Sequence, residues 1–171
     1  TDYVFDGTGN EPWQPKDATK PQNAYGRSKK IGEDGIRSVD STYCILRTSW
    51  VVSSHGTNFV KTMLNLSEDR TTLSLVSDQI GGPTPAKDIA KACLQIVQQL
   101  KQDPSKSGTY HFSGTEDVSW AEFAIEIFKQ TGRSVNVLPI PTCDYPTPAV
   151  RPLNSRLNCN KTEEVFSIHR P

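Results

Sequence analysis

The sequence predicts an α/β fold with a largely parallel sheet. Short apolar runs that are typical of strands alternate along its 171 residues with longer segments of helical periodicity. The hydrophobic residues, 35% of the chain, are gathered into blocks, which is typical of packed layers rather than of disorder. No apolar run is long enough to cross a membrane, and no signal-peptide pattern is present, so we expect no membrane segment.

The first predicted elements alternate in type. Residues 1–5 (TDYVF) have the pattern of the end of a buried strand, which a Gly- and Pro-rich loop follows. A helix is expected from about residue 21 to 39, although its glycines weaken it. The run YCILR at 43–47 predicts a core strand. Apolar spacing over 58–69 predicts a helix, and alternation over 72–76 predicts a strand.

Two later helices have clearer start signals. Thr84 and Pro85 are typical of an N-cap followed by a proline at the first helical position. A single apolar stripe is then predicted, made of Ile89, Cys93, Ile96, Val97 and Leu100. A strand is expected at 109–112. Ser119 and Glu122 form a capping-box pattern at the start of the next helix.

The remainder of the chain contains fewer regular elements. Gly132 is expected to end the capping-box helix, and 135–140 is expected to be a strand. The proline-rich tail is predicted to be irregular, apart from a short helix at 161–166.

Charge and cysteine content exclude several classes. Nineteen basic and nineteen acidic side chains cancel, which argues against a nucleic-acid partner. The four cysteines form no C-x-x-C pair, so we expect free, mostly buried thiols in a reducing, cytoplasmic compartment. His111 lies in an apolar strand and is interpreted as a structural histidine.

Tyr25 and Lys29 form the pattern with the most chemical content. Residues four apart share a helix face, which places a phenol beside an ammonium group. The cation stabilises the phenolate and makes the phenol a better proton donor. The pattern alone is weak, because such a pair is more often part of a solvated helix face.

The surrounding segments resemble the extended short-chain dehydrogenase/reductase family, and within it the dTDP-4-dehydrorhamnose reductases. The resemblance covers nearly the whole chain. It rests on TDYVFDG at 1–7, Pro21 to Lys29, LRTSWV at 46–51, Asn58-Phe59, DQIGGPT at 78–84 and RPLNSRL at 151–157. It implies part of a Rossmann-like, doubly wound parallel sheet with a smaller C-terminal substrate-binding subdomain.

The resemblance implies a catalytic triad of Thr1, Tyr25 and Lys29. Tyr25 would protonate the C4 keto oxygen of a dTDP-sugar, and Thr1 would polarise the same carbonyl. Lys29 would assist Tyr25 and bind the nicotinamide ribose, so that Tyr25, Lys29 and Thr48 would be the contacts to NADPH or NADH. No G-x-G-x-x-G turn for the pyrophosphate is present. We therefore expect a fragment of the reductase, with little cofactor binding of its own.

The resemblance also implies substrate contacts. Tyr3, Val4 and Trp50 match positions near the sugar, whereas Asn58 and Arg151 match the nucleotide-diphosphate end. From the residues alone, Trp50 is nearly as well explained as a core residue, and Arg151 as the partner of a carboxylate.

The resemblance further implies a division of the chain. Residues 1–52 would belong to the dinucleotide-binding domain, and 53–171 mainly to the substrate-binding subdomain, with 72–102 returning to the core sheet. Lys87 stands where magnesium-bridged relatives carry Glu, so no metal site is expected.

Two other functions stay open at this stage. The chain could be a non-catalytic regulatory relative, or a sugar-nucleotide-binding domain without activity. The presence of Thr1, Tyr25, Lys29 and Trp50 together favours catalysis. A homodimer is the assembly kept open.

Overall fold

A computed structural model describes all residues, 1–171. It contains five α-helices: α1 (Ala24–Arg37), α2 (Phe59–Asp69), α3 (Ala86–Gln102), α4 (Trp120–Gln130) and α5 (Asn160–Phe166). The nine short strands are β1 (Cys44–Arg47), β2 (Val51–Val52), β3 (Thr72–Val76), β4 (Ile80–Gly81), β5 (Thr84–Pro85), β6 (Gly108–His111), β7 (Val118–Ser119), β8 (Asn136–Ile140) and β9 (Asn154–Ser155).

Parallel pairing dominates the strands, as the sequence predicts. β1 pairs with β6, β2 with β5, β3 with β8 and β4 with β9, all in parallel, and only β4 with β7 is antiparallel. Helices α3 and α5 pack on the β1–β6 pair, and α2 and α4 pack on the β3–β8 pair, which is the α/β arrangement. None of the helices has the length and apolar character needed to span a bilayer.

One core layer lies between α3 and the β1–β6 pair. Its buried residues are Ala92, Ile96, Leu100, Tyr110, Phe112, Phe166 and Ile168. Because α5 also packs here, this layer ties the end of the chain to the strand that precedes Trp50.

A second core cluster joins α2 and α4 to the β3–β8 pair. It consists of Met63, Leu73, Ala124, Ile127 and Phe128. Since β3 pairs with β8 and not with β1 or β6, only α3 of the 72–102 segment packs on the first layer.

The strand expected at 1–5 is not present. Residues Asp2–Val4 form a single 3-10 turn, in which the Phe5 N–H donates to the Asp2 carbonyl at 3.0 Å. Val4 and Phe5 are buried in a small cluster with Leu157 and Cys159. Their apolar character therefore reflects core packing, which a short apolar run cannot distinguish from strand pairing.

The start predicted for α3 is also wrong. Thr84 belongs to β5, and Pro85 occupies the N-cap without a side-chain hydrogen bond. The Thr84 hydroxyl donates instead to the Gly82 carbonyl at 2.8 Å and accepts from the Gly114 N–H at 3.1 Å. This buried hydroxyl stabilises a loop junction rather than a helix end.

Burial corrects the apolar stripe predicted for α3. Ile96 and Leu100 are buried as expected, but Cys93 and Val97 are exposed, and Ala92 takes the buried position between turns. All four cysteines are free, but only Cys159 is buried; Cys44 is half-buried and Cys143 is exposed.

Several local predictions are confirmed. The Ser119 hydroxyl accepts from the Glu122 N–H at 3.1 Å, and the Glu122 carboxylate accepts from the Ser119 N–H at 2.7 Å, which completes the capping box. Gly132 follows the helix with φ +64°. α1 begins at Ala24 rather than 21, because Asn23 caps it.

Candidate active site

The end of β1, the 3-10 turn and the first turns of α1 enclose an open cleft of about 410 Å³. It brings together six of the predicted site residues: Thr1, Tyr3, Tyr25, Lys29, Thr48 and Trp50. Asp2, Ser49 and Val51 complete its lining.

Tyr25 and Lys29 face this cleft from the same side of α1. The Lys29 Nζ lies 5.5 Å from the centroid of the Tyr25 ring, and the Tyr25 side chain is half exposed. Tyr3 packs edge-on against Tyr25, with ring centroids 5.5 Å apart. The phenol and the ammonium are therefore neighbours, and both are accessible to a ligand.

Gly26 determines how closely α1 approaches the 3-10 turn. A Cβ atom at this position would clash with the Tyr3 carbonyl oxygen. The Asn23 side chain caps the helix through the Gly26 N–H at 2.8 Å and donates to the Val150 carbonyl at 2.8 Å. The position of Tyr25 is thus fixed by backbone contacts on both sides of it.

Two buried polar atoms at the cleft have no hydrogen-bond partner, Thr48 Oγ1 and Asp2 Oδ2. The other oxygen of Asp2 accepts from the Thr1 hydroxyl at 3.2 Å. Burial raises the pKa of Asp2, and the hydrogen bond from the Thr1 hydroxyl counteracts this only in part. Unsatisfied buried polar atoms are rare, so these two atoms mark the cleft as a place where the chain by itself leaves hydrogen-bonding groups without a partner.

Trp50 separates this cleft from a second cavity. Its backbone has φ +46°, which non-glycine residues seldom adopt, and its indole stacks on Trp120 with centroids 3.5 Å apart. The second cavity measures about 240 Å³ and shares Asp2, Tyr3, Trp50 and Val51 with the cleft. Its remaining lining includes Phe59, Gln79, Trp120 and Ser155.

A third cavity of about 670 Å³ continues from the second. The two share Phe59, Gln79 and Trp120. The walls of the third cavity are mostly apolar, but Arg70 and Arg151 also line it. The three spaces therefore adjoin one another through shared wall residues, and together they are called the groove here, with Tyr25 in the first space and Arg70 and Arg151 in the third.

Two predicted substrate residues lie elsewhere. Val4 is fully buried in the core cluster and lines none of the three cavities. Asn58 caps α2 and donates to the Ser53 carbonyl at 2.6 Å, so its side chain is already engaged.

The sequence interpretation missed Asp2, Gln79, Trp120 and Arg70. Asp2 could have been found from the sequence, because an acidic residue within the otherwise apolar run TDYVF is unusual and is typical of a functional position. Gln79 links the groove to the loop beyond β8, because it accepts from Trp120 Nε1 and donates to Thr142 Oγ1, both at 3.1 Å. Such tertiary contacts leave no local pattern.

Known proteins resemble this chain over its whole length. The family model described as RmlD substrate binding domain matches residues 1–171. A dTDP-4-dehydrorhamnose reductase of Sinorhizobium fredii is 45% identical over the whole chain and 60% of its own length. A Salmonella typhimurium protein of that name is 40% identical over the whole chain and 59% of its own length.

Solved structures give the same result. The dTDP-4-dehydrorhamnose reductase of Bacillus anthracis in complex with NADP superposes with a TM-score of 0.88 at 37% identity, over 99% of this chain and 58% of that one. The chain thus spans about 60% of the length of the relatives it matches. On this match and the cleft geometry, the chain belongs to the family of RmlD substrate-binding domains.

Proposed function

We propose that the protein containing this chain reduces the C4 keto group of dTDP-4-dehydro-L-rhamnose and forms dTDP-L-rhamnose. The observation that carries the proposal is this groove of three adjoining cavities. It leads from a phenol–ammonium pair, past an aromatic wall, to a large cavity with two arginines. The names of the relatives support the same reaction.

Tyr25 is the proton donor in this proposal. Its hydroxyl transfers a proton to the keto oxygen, while the Thr1 hydroxyl turns its single proton from Asp2 to that oxygen. Lys29 stabilises the phenolate that remains. Burial and the charge of Asp2 raise the pKa of Tyr3, so the neighbouring phenol stays neutral and does not compete as a base.

The cleft fits the nicotinamide end of NADPH or NADH. Thr48 Oγ1 has no partner in the protein, and Lys29 forms no ion pair, so both groups are free to bind ribose hydroxyls. The cofactor, when bound, would supply the hydride. The pyrophosphate lacks a glycine-rich turn among these 171 residues, so these residues fit only that one end.

The sugar and the nucleotide would follow the groove. The 240 Å³ cavity suits a pyranose ring against the Trp50 indole, with Asp2, Gln79 and Ser155 as hydrogen-bond partners. The larger cavity suits the nucleotide, with Arg151 binding the diphosphate as predicted and Arg70 on the same lining. Asn58 and Val4 stay predictions as substrate-binding residues.

The test is turnover of a Tyr25→Phe variant in the full-length protein. We expect the reduction rate to fall about 10²–10⁴-fold, because the general acid is removed, while affinity for the dTDP-sugar changes little. Tyr43→Phe, which alters a tyrosine outside the groove, is the matched control and should keep full activity. Undiminished turnover in Tyr25→Phe would remove Tyr25 from the mechanism.

A non-catalytic dTDP-sugar-binding function is the second candidate, since binding of a sugar nucleotide in the cavities lined by Trp50 and Arg151 requires no reaction at Tyr25. It predicts dTDP-sugar binding by calorimetry without NADPH oxidation in the full-length protein.

The division at residue 52 into a dinucleotide-binding part and a substrate-binding part is also proposed. Limited proteolysis that cleaves near this position would support the division.

A further inference from the structure

Lys29 has an acidic neighbour on its own helix with which it forms no ion pair. Glu33 lies one turn further along α1, at the spacing at which Lys and Glu ordinarily pair. Nevertheless Lys29 forms no ion pair in the structure. A lysine that is to assist a tyrosine and bind a ligand must stay free of such a partner.

Arginines occupy both oxygens of Glu33. Arg47 donates through Nε to Oε1 at 2.9 Å and through Nη2 to Oε2 at 2.7 Å, which is a two-pronged pair. Arg37 donates to Oε2 at 2.8 Å. Glu33 is itself buried, so its carboxylate depends on these arginines rather than on water for its hydrogen bonds.

Arg47 is held rigidly on β1. Its side chain is 1% exposed, and its guanidinium carbon lies 4.9 Å from the centroid of the Phe5 ring. Its Nη1 donates to the Pro15 carbonyl at 3.3 Å and approaches His111 Nε2 at 3.4 Å. Because these contacts come from three other segments, Arg47 stays in place and so holds Glu33.

We propose that Arg47 is a positioning residue, which binds both oxygens of Glu33 and thereby keeps Lys29 free to act on Tyr25 and the ligand. The part of this proposal that concerns the ion pairing of Lys29 is independent of the enzyme's reaction. The part in which a free Lys29 assists Tyr25 rests on the proposed function.

Other charged groups around Lys29 do not replace Glu33. On the same helix, Asp34 is paired with Lys30 and Arg37. From the 3-10 turn, Asp2 faces the same cleft, but its Oδ1 accepts from the Thr1 hydroxyl and the carboxylate forms no ion pair with Lys29. From β6, His111 contacts Arg47, and burial lowers its pKa to about 3, so it adds no charge.

Glu33 is an anion at neutral pH. Burial by itself raises the pKa of this carboxyl, but the hydrogen bonds and charges of Arg47 and Arg37 outweigh burial and bring the pKa below its ordinary value. Without Arg47, a carboxylate would therefore stand one turn from Lys29 with a free oxygen.

The experiment follows the titration of Lys29 by NMR in the full-length protein, using ¹³C-labelled lysine and the Lys29→Arg variant for assignment. In Arg47→Met the midpoint should rise by about 0.3 units or more, the size expected of an i,i+4 pair. In Arg47→Met/Glu33→Gln it should return to the wild-type value, since the carboxylate is gone and the net charge equals that of the wild type.

Arg37→Gln is the matched control. It removes an equal charge that is also bound to Glu33, but it leaves both Arg47 contacts intact, so the Lys29 midpoint should not move. An equal rise in Arg37→Gln and Arg47→Met would mean a general charge effect and overturn the proposal. So would an unchanged midpoint in Arg47→Met.

A second variant covers the case in which Arg47→Met does not fold. Arg47→Lys offers one ammonium in place of the fork and frees one Glu33 oxygen, so a smaller rise is expected. A wild-type midpoint in Arg47→Lys would then overturn the proposal. Because the readout is a titration, it stands even if the protein catalyses no reduction, whereas loss of reduction in the wild type contradicts only the proposed function.

Discussion

Two successive parts of helix α1 treat their polar side chains in opposite ways. The first part carries Tyr25 and Lys29, which are exposed and have no ion pair or hydrogen-bond partner at their reactive ends. The second part carries Glu33, which is buried and bound by Arg47 and Arg37.

The contrast separates stability from chemistry within one helix. A buried charge must be paired, because an unpaired one costs several kcal/mol. A group that must bind a ligand can stay unpaired only where water can solvate it in the meantime. We therefore expect substitutions in the second part to change stability, and substitutions in the first part to change turnover.

The largest stability effect should come from the buried pair. Arg47→Met leaves Glu33 without its main partner and should lower the free energy of unfolding by about 3–5 kcal/mol. Lys29→Met removes an unpaired, exposed charge and should change it by less than about 0.5 kcal/mol. Urea unfolding of the two variants measures the difference. Equal losses of stability would contradict the distinction between the two parts of α1.

The second-largest effect on stability is expected from acid, through the buried His111. The pKa of His111 is lowered to about 3, mainly by burial and then by the Arg47 charge. The unfolded chain therefore binds the proton more readily, and the stability that is present above pH 6.5 is lost as the pH falls toward 3. Between pH 6.5 and 4 this site alone should cost about 3 kcal/mol.

The pH slope can be assigned by substitution. Urea unfolding at several pH values should show a shallower slope for His111→Gln than for the wild type. The lowered pKa of Glu33 adds acid sensitivity only below the ordinary carboxyl range, where the stability it contributes is lost. Identical slopes in both proteins would show that His111 already titrates freely.

Gly26 is the exception in the first part of α1, because it is buried and tightly packed although its neighbours Tyr25 and Lys29 are exposed. Gly26→Ala should destabilise the protein by about 2 kcal/mol, since the added Cβ would meet the Tyr3 carbonyl and the backbone must move. Gly32→Ala is the control. It has open space at the same helix and should stabilise it by about 0.5–1 kcal/mol. Thermal melting compares the two.

The smallest effect is expected for a surface pair of the second part. Asp34 pairs with Lys30 and Arg37, but it is half exposed. Asp34→Asn should therefore leave the urea midpoint of unfolding almost unchanged, and any change should be smaller still in high salt. A loss of stability as large as that of Arg47→Met would show that the position along the helix, rather than burial, determines the effect of a substitution on stability.

Local patterns predicted the fold elements well where the signal is itself local. The capping box at Ser119 and the glycine after α4 are set by neighbours within four residues, and both are present. The run TDYVF and the start of α3 were misassigned because their conformation depends on distant partners. Thr84, for example, is held by Gly114 across 30 residues.

The sequence by itself determined the α/β alternation, the Tyr25–Lys29 pair on one helix face and the family resemblance. These follow from periodicity and from motif order, which the chain carries without folding. Only the tertiary structure decided that Val4 is core, that Asp2 Oδ2 and Thr48 Oγ1 are buried without partners, and that three cavities adjoin one another. It also decided that Arg47 reaches Glu33 from another element, because burial and pairing are properties of the packed chain.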